Sequence, residues 1–162
     1  MKRLILSISV YWFVVQMIIS TLGTLIDKRY FEKYHFLFKS WPIESEGRLW
    51  EKLFKVKSWK KLLPDGHKMN HAIKSKKTIE ELESEQYIND FILETRRAEF
   101  IHLLSMLPAL VFLKSSRKVK LINIVYAIVS NVPIIIVQRY NRPKLERFYY
   151  KKFVERKGKH NE

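Results

Sequence analysis

Three short stretches of this 162-residue chain carry side chains that could do chemistry. The first is Asp65-Gly66-His67, with Asn70 and His71 just after it. Histidine is the usual general base near neutral pH, and a nearby carboxylate can fix which ring nitrogen holds the proton. The plain alternative is a turn, because Pro64-Asp65-Gly66 is a strong turn signal. His67 and His71 share a helix face, yet two ligands without a third do not make a metal site. The second stretch is "ETRRAEFIH", residues 94–102. On a helix, Thr95, Glu99 and His102 fall on one face, and Glu94 pairs with Arg97 three residues later. Ionisable groups at the mouth of a membrane helix are expensive unless paired or useful, so an ion-paired collar competes with an acid–base site. Glu99-x-x-His102 has the spacing of half a di-iron ligand set, and no metal is expected there. The third stretch is "NVPIIIVQRYNRPKL", residues 131–145. An uncharged run ends in Gln138, Arg139, Asn141 and Arg142, and arginine forks suit phosphate or sugar oxygens. Lys144, Arg147, Lys151 and Lys152 read as cations that snorkel from a helix end.

These residues need elements to hold them. Leu4–Ile26 is 23 residues without a charge, about 35 Å as a helix and enough to cross a bilayer core of about 30 Å. Lys2 and Arg3 before it resemble a signal-peptide n-region, but the run is too long and no A-x-A site follows, so an uncleaved anchor is preferred. Leu121–Val137 adds 17 uncharged residues, just long enough to span. Phe100–Leu113 is shorter and contains His102 and Pro108; it spans only as part of a helix over about 93–113. With the N-terminus outside, fourteen Lys and Arg near the spans face the cytoplasm and six face out, as the positive-inside tendency prefers. A re-entrant hairpin of the last two runs is the alternative. Pro143 is expected to stop a helix from running on unchanged.

Residues 47–63, "GRLWEKLFKVKSWKKLL", place Leu49, Trp50, Leu53, Phe54, Val56, Trp59, Leu62 and Leu63 at helical spacing among cations. Trp prefers the bilayer interface and lysines attract anionic headgroups, so this reads as one amphipathic helix lying in the membrane plane. A soluble amphipathic helix packed on the domain is the alternative. Thr78 and Glu81 fit a capping box, so a helix start is expected near Ile79.

Composition agrees with a small membrane protein. Lys plus Arg number 31 against 16 Asp plus Glu, a formal charge of +15, which points to an anionic partner. Hydrophobic content of 47% is too high for a disordered basic tail. Aromatics among cations also suit single-stranded nucleic acid, but two membrane runs make that partner unexpected. There is no cysteine, which excludes disulfides and thiol catalysis. No Walker loop, G-x-S-x-G elbow or H-x-x-x-x-D motif is present. The expected fold is all-α: a single membrane-embedded domain over 1–162, with two to three transmembrane or re-entrant helices, an interfacial amphipathic helix and a basic tail over 146–162.

Read in order, "YWFVVQ" (11–16), "LGT" (22–24), "DGHKMN" (65–70), "ETRRAEFIH" (94–102) and "NVPIIIVQRYNRPKL" (131–145) resemble the glycosyl-4,4'-diaponeurosporenoate acyltransferases of staphyloxanthin synthesis. The resemblance implies an integral protein of the bacterial cell membrane. It implies transfer of a fatty acyl chain to the glucose 6-hydroxyl of a glycosylated C30 carotenoid acid. No resident cofactor is implied; the fatty acyl donor, acyl-CoA being one candidate, is a co-substrate. His71 is not part of the pattern. The expected partners are membrane lipid, the two substrates and other enzymes of the carotenoid pathway. In the working mechanism, His67 oriented by Asp65 takes the glucose proton, with Glu99 and His102 as second choice for acid–base work. Arg139 and Arg142 hold the donor's anionic head. Asn70, Glu94, Arg97, Gln138 and Asn141 complete the substrate-binding set. The rivals are a non-enzymatic membrane scaffold that binds anionic lipid, and an acyltransferase acting on another glycolipid.

Overall fold

The computed structural model describes residues 2–63 and 84–155, and every regular element among them is helical. Helix α1, Lys2–Leu25, coincides with the first uncharged run. It is apolar around its whole circumference, and Phe13, Leu22 and Leu25 stand exposed. Such a surface is a liability in water and ordinary in lipid. Next come α2, Lys28–Lys33, a 3-10 turn His35–Phe38, a second 3-10 turn Pro42–Gly47, α3, Arg48–Phe54, and α4, Val56–Trp59. After the undescribed residues, α5, Glu85–Leu104, leads through a 3-10 segment, Leu107–Lys114, into the long α6, Arg117–Tyr149. Among the described residues, α1 and α6 are the helices long and apolar enough to cross a membrane.

Cross-links between elements give their directions. Tyr149 reaches Glu85, Arg142 reaches Thr95 and His102 reaches Asn131, so α5 and α6 run antiparallel. Arg97 reaches Thr24 and Lys28 reaches Asp90, so α1 is also antiparallel to α5. At Gly23 the two backbones come close enough that an added Cβ would strike the Ile101 side chain. The α1 to α6 packing is tied by two polar bonds inside apolar surroundings: Trp12 Nε1 donates to Asn123 Oδ1 at 2.6 Å, and Tyr11 donates to the Pro108 carbonyl at 3.0 Å. Such bonds glue helices that lack a hydrophobic drive to associate in lipid.

Three expectations change. The apolar run 93–113 is not one helix: α5 ends at Leu104 and the chain resumes as a 3-10 segment, because Pro108 has no N–H for the carbonyl four residues back. Pro143 does not end α6; the helix passes through both Pro133 and Pro143. Packing overrides the lost bond, since α6 beyond Pro143 is anchored by Glu146 to Arg96 and Ser40, and by Tyr149 to Glu85. The first part of the expected basic tail is therefore helix. Finally, residues 47–63 are a hook rather than one helix. Lys55 adopts a left-handed conformation, φ 48°, between α3 and α4. The bend drives Val56 against Ile136 and Tyr140, with Trp50 and Trp59 packed around it. Leu53, Phe54 and Leu62 are left facing outward. The expected start near Ile79 with Thr78 and Glu81 lies outside the described residues; α5 begins at Glu85, capped by Ser84.

The hook docks through a left-handed turn. Ser45, Glu46 and Gly47 have φ of 45°, 60° and 85°. At Gly47 a Cβ would lie 2.5 Å from the Tyr140 carbonyl oxygen, a backbone atom that cannot step aside. Gly47→Ala combines left-handed strain with that collision, so it is expected to destabilise the fold by about 2 kcal/mol or more. The check is thermal unfolding in detergent, in which Gly47→Ala should melt well below the parent chain.

Candidate active site

The polar residues of α5 and α6 converge where the 28–63 segment wraps the two helices. Glu99 sits at the centre, 2% exposed. Its Oε1 accepts from Arg139 Nε at 2.6 Å, and its Oε2 accepts from Arg142 Nη2. Arg142 is fully buried. Its Nε donates to Thr95 Oγ1 at 2.9 Å, its Nη1 to the Phe38 carbonyl at 2.7 Å, and its Nη2 also to the Thr95 carbonyl at 3.1 Å. Arg139 donates through Nη1 to the Lys39 carbonyl at 3.2 Å and to Glu44 at 3.5 Å. Buried Glu44 in turn accepts from the Trp41 backbone and the Trp50 indole. One carboxylate thus holds two arginines of α6, and those arginines hold the carbonyls of the wrapping segment.

A second cluster lies beside it at the α1 end. Glu94 pairs with Arg97 at 2.5 Å, the i, i+3 partnership expected from sequence, and with Lys28 at 3.1 Å. Arg97 also donates to the Thr24 carbonyl at 3.1 Å, near the last turn of α1. Both members of the Glu94–Arg97 pair are buried. Asn141 accepts from Lys60 at 3.3 Å, and Gln138 is half-buried on the same helix. One turn further along α5, His102 Nδ1 lies 2.9 Å from Asn131 Oδ1.

The structure thus brings Glu94, Arg97, Glu99 and His102 together with Gln138, Arg139, Asn141 and Arg142. Asp65, His67 and Asn70 lie outside the described residues. The guanidinium of Arg142 is occupied by protein oxygens, which makes it a fixed post of the scaffold; Arg139 keeps 16% of its side chain exposed. Both oxygens of Glu99 are engaged by arginine, which leaves it a structural anion more than a proton carrier. The Glu-x-x-His spacing of Glu99 and His102 recurs at Glu32 and His35, but those two are exposed and belong to a different segment. Three partners were not foreseen from the sequence. Glu44, Thr95 as an arginine partner and Asn131 carry no motif, and only the approach of separate segments gives them a role.

A family model for glycosyl-4,4'-diaponeurosporenoate acyltransferases matches residues 27–151. Two Staphylococcus aureus proteins of that name, from strains bovine RF122 / ET3-1 and MRSA252, are each 44% identical over 95% of this chain and 92% of their own length. A third, from strain USA300, is 43% identical over the same shares. No solved structure matches the chain.

The chain belongs to the glycosyl-4,4'-diaponeurosporenoate acyltransferase family. It is an acyltransferase, and the stretch matched by the family model holds the whole Glu99–Arg139–Arg142 network while omitting nearly all of α1. The part of the chain held in common by this acyltransferase family is thus the polar layer and its wrapping segment. Glu99→Gln would leave Arg142 buried without its counter-charge, and breaking a buried pair in this way costs about 3–5 kcal/mol. In contrast, Arg147 pairs with Glu46 at the exposed surface, and Arg147→Ala should change stability by at most about 1 kcal/mol. Detergent melting of the two variants side by side should separate them clearly, with Glu99→Gln the damaged one.

Proposed function

We propose that this acyltransferase esterifies the glucose 6-hydroxyl of a glycosylated C30 carotenoid acid with a fatty acyl chain, at the membrane face where α5, α6 and the 28–63 segment meet. The observation that supports this most directly is a polar, rigid layer built at the end of two apolar helices. A C30 polyene and a fatty chain both dissolve in lipid. Their reactive ends, a sugar hydroxyl and an acyl carbonyl, are polar and must meet at the boundary. The acyl donor is an activated ester, of which an acyl thioester such as acyl-CoA is the simplest class.

In this reading the hydroxyl oxygen attacks the acyl carbonyl carbon while an imidazole removes its proton. The tetrahedral intermediate collapses, the bond to the thiolate breaks, and the proton is returned to the leaving group. His102 is the favoured base, because its ring is held against α6 beside the polar layer and Glu99 is committed to two arginines. His67, with Asp65, is the second imidazole. Arg139, with Gln138 and Asn141 beside it, faces the substrate heads; Arg142, Glu94 and Arg97 keep that surface in place, and Asn70 joins the set from the 65–70 stretch. Exposed aromatic and aliphatic side chains of the wrapping segment, among them Tyr30, Phe36, Trp41 and Ile43, support its lying in the interface.

General-base help is worth roughly 100- to 10,000-fold, so His102→Ala should lower turnover of acyl donor and glycosylated carotenoid in membranes by that factor. If His102→Ala keeps normal turnover and His67→Ala loses it, the base is His67. A pure scaffold makes no ester with the unaltered chain. The positive-inside count further supports an N-terminus outside the cell membrane. The chain has no native cysteine, so single replacements report orientation cleanly. An impermeant maleimide applied to intact cells should label Lys2→Cys and spare Lys151→Cys; the opposite pattern would reverse the topology.

A further inference from the structure

We infer that Asn131 is the positioning residue that fixes the tautomer of His102, leaving Nε2 as the lone-pair nitrogen that accepts the substrate proton. This rests on the reading of His102 as the general base. Asn131 is 2% exposed on α6, so its amide must find its partners inside the protein. Its Nδ2 donates to the Ala127 carbonyl of the preceding turn at 2.9 Å. A carbonyl can only accept, which orients the amide and turns Oδ1 toward α5. That oxygen lies 2.9 Å from His102 Nδ1. An amide oxygen also only accepts, so the proton of the neutral ring stands on Nδ1 and the lone pair on Nε2. A free neutral imidazole prefers the other tautomer, so the arrangement needs a dedicated acceptor, and Asn131 is one. His102 itself is only half-buried, so its ring is not sealed from the surface where substrates meet.

The arrangement separates two properties of Asn131. The bond from Nδ2 to Ala127 serves α6, whereas Oδ1 serves His102. Asn131→Ala removes both. Asn131→Asp keeps an acceptor for the Nδ1 proton and loses the donor to Ala127. If Asn131 positions the base, kcat follows the acceptor and stability follows the donor.

The test uses the full chain in detergent or membranes, with a fatty acyl-CoA and a glycosylated carotenoid acid as probes. Asn131→Ala should lower kcat roughly 10- to 100-fold, the range for groups that orient a metal-bound histidine, with KM little changed. Asn131→Asp should hold kcat within a few-fold of the parent even where it melts lower. Nitrogen-15 spectra of His102 should show an unprotonated Nε2 in the parent and in Asn131→Asp, and a shift toward the Nε2–H form in Asn131→Ala. The inference is overturned if His102 shows the same tautomer in all three, or if Asn131→Asp loses kcat as fully as Asn131→Ala. His102→Ala separates the two levels: if it remains active, the base assignment itself fails, whereas if it is inactive and the Asn131 variants keep full kcat, only the positioning role fails.

Discussion

Glu99 between Arg139 and Arg142 is the contact on which this fold turns. A carboxylate removed from water is costly, and two guanidiniums beside it would be costly too if either stood alone. Together with Glu44 they form two acids and two bases, each satisfied by the others or by backbone carbonyls. The geometry does more than neutralise charge. Arg142 spans from Thr95 on α5 to the carbonyl of Phe38, so one side chain fixes three segments at once. Shift α6 by a residue and every one of these bonds is lost. A half-satisfied network of this kind is worse than none, which gives the packing a sharp register.

Around that node the rest of the molecule divides by solvent. On one side α1, the Leu107–Lys114 segment and the first half of α6 present apolar side chains outward and keep their few polar atoms for one another. On the other side, the end of α6 and the start of α5 carry Glu85, Arg96, Glu146 and Tyr149 in pairs. The wrapping segment lies at the boundary, with Val56 and Trp50 turned in and Leu53 and Trp41 turned out. An enzyme that joins two oily molecules at their polar tips has reason to place its chemistry at such a boundary. Water-soluble folds bury the apolar parts of a substrate in a pocket; here lipid can do that service, and the protein need only organise the tips.

Much of this was legible from residue order. The uncharged length of Leu4–Ile26 makes a helix compulsory in lipid, because each backbone group must be bonded within the segment. The 3.6-residue period put Thr95, Glu99 and His102 on one face, and it paired Glu94 with Arg97. Hydrophobic period also showed that 47–63 is amphipathic. It could not show the bend at Lys55, because that bend has no local cause: it appears where Val56 must reach Ile136 and Tyr140. Pro143 misled in the other direction. One missing bond is a real loss to an isolated helix, and it is overruled when both flanks of the proline are pinned to other segments.

The sequence by itself determined which stretches are helical, which of them suit lipid, where the charges collect and to which family the chain is similar, since these follow from composition and period along one strand of chain. Only the tertiary structure decided what the polar residues do for each other. Arg142 read as a hand free to grip phosphate and is a buried post; Asn131 read as part of an oily helix and is the partner of His102. The reason is that a hydrogen bond between residues tens of positions apart leaves no periodic trace in either stretch. Its partners are chosen by how the helices cross, and that is settled only when they pack.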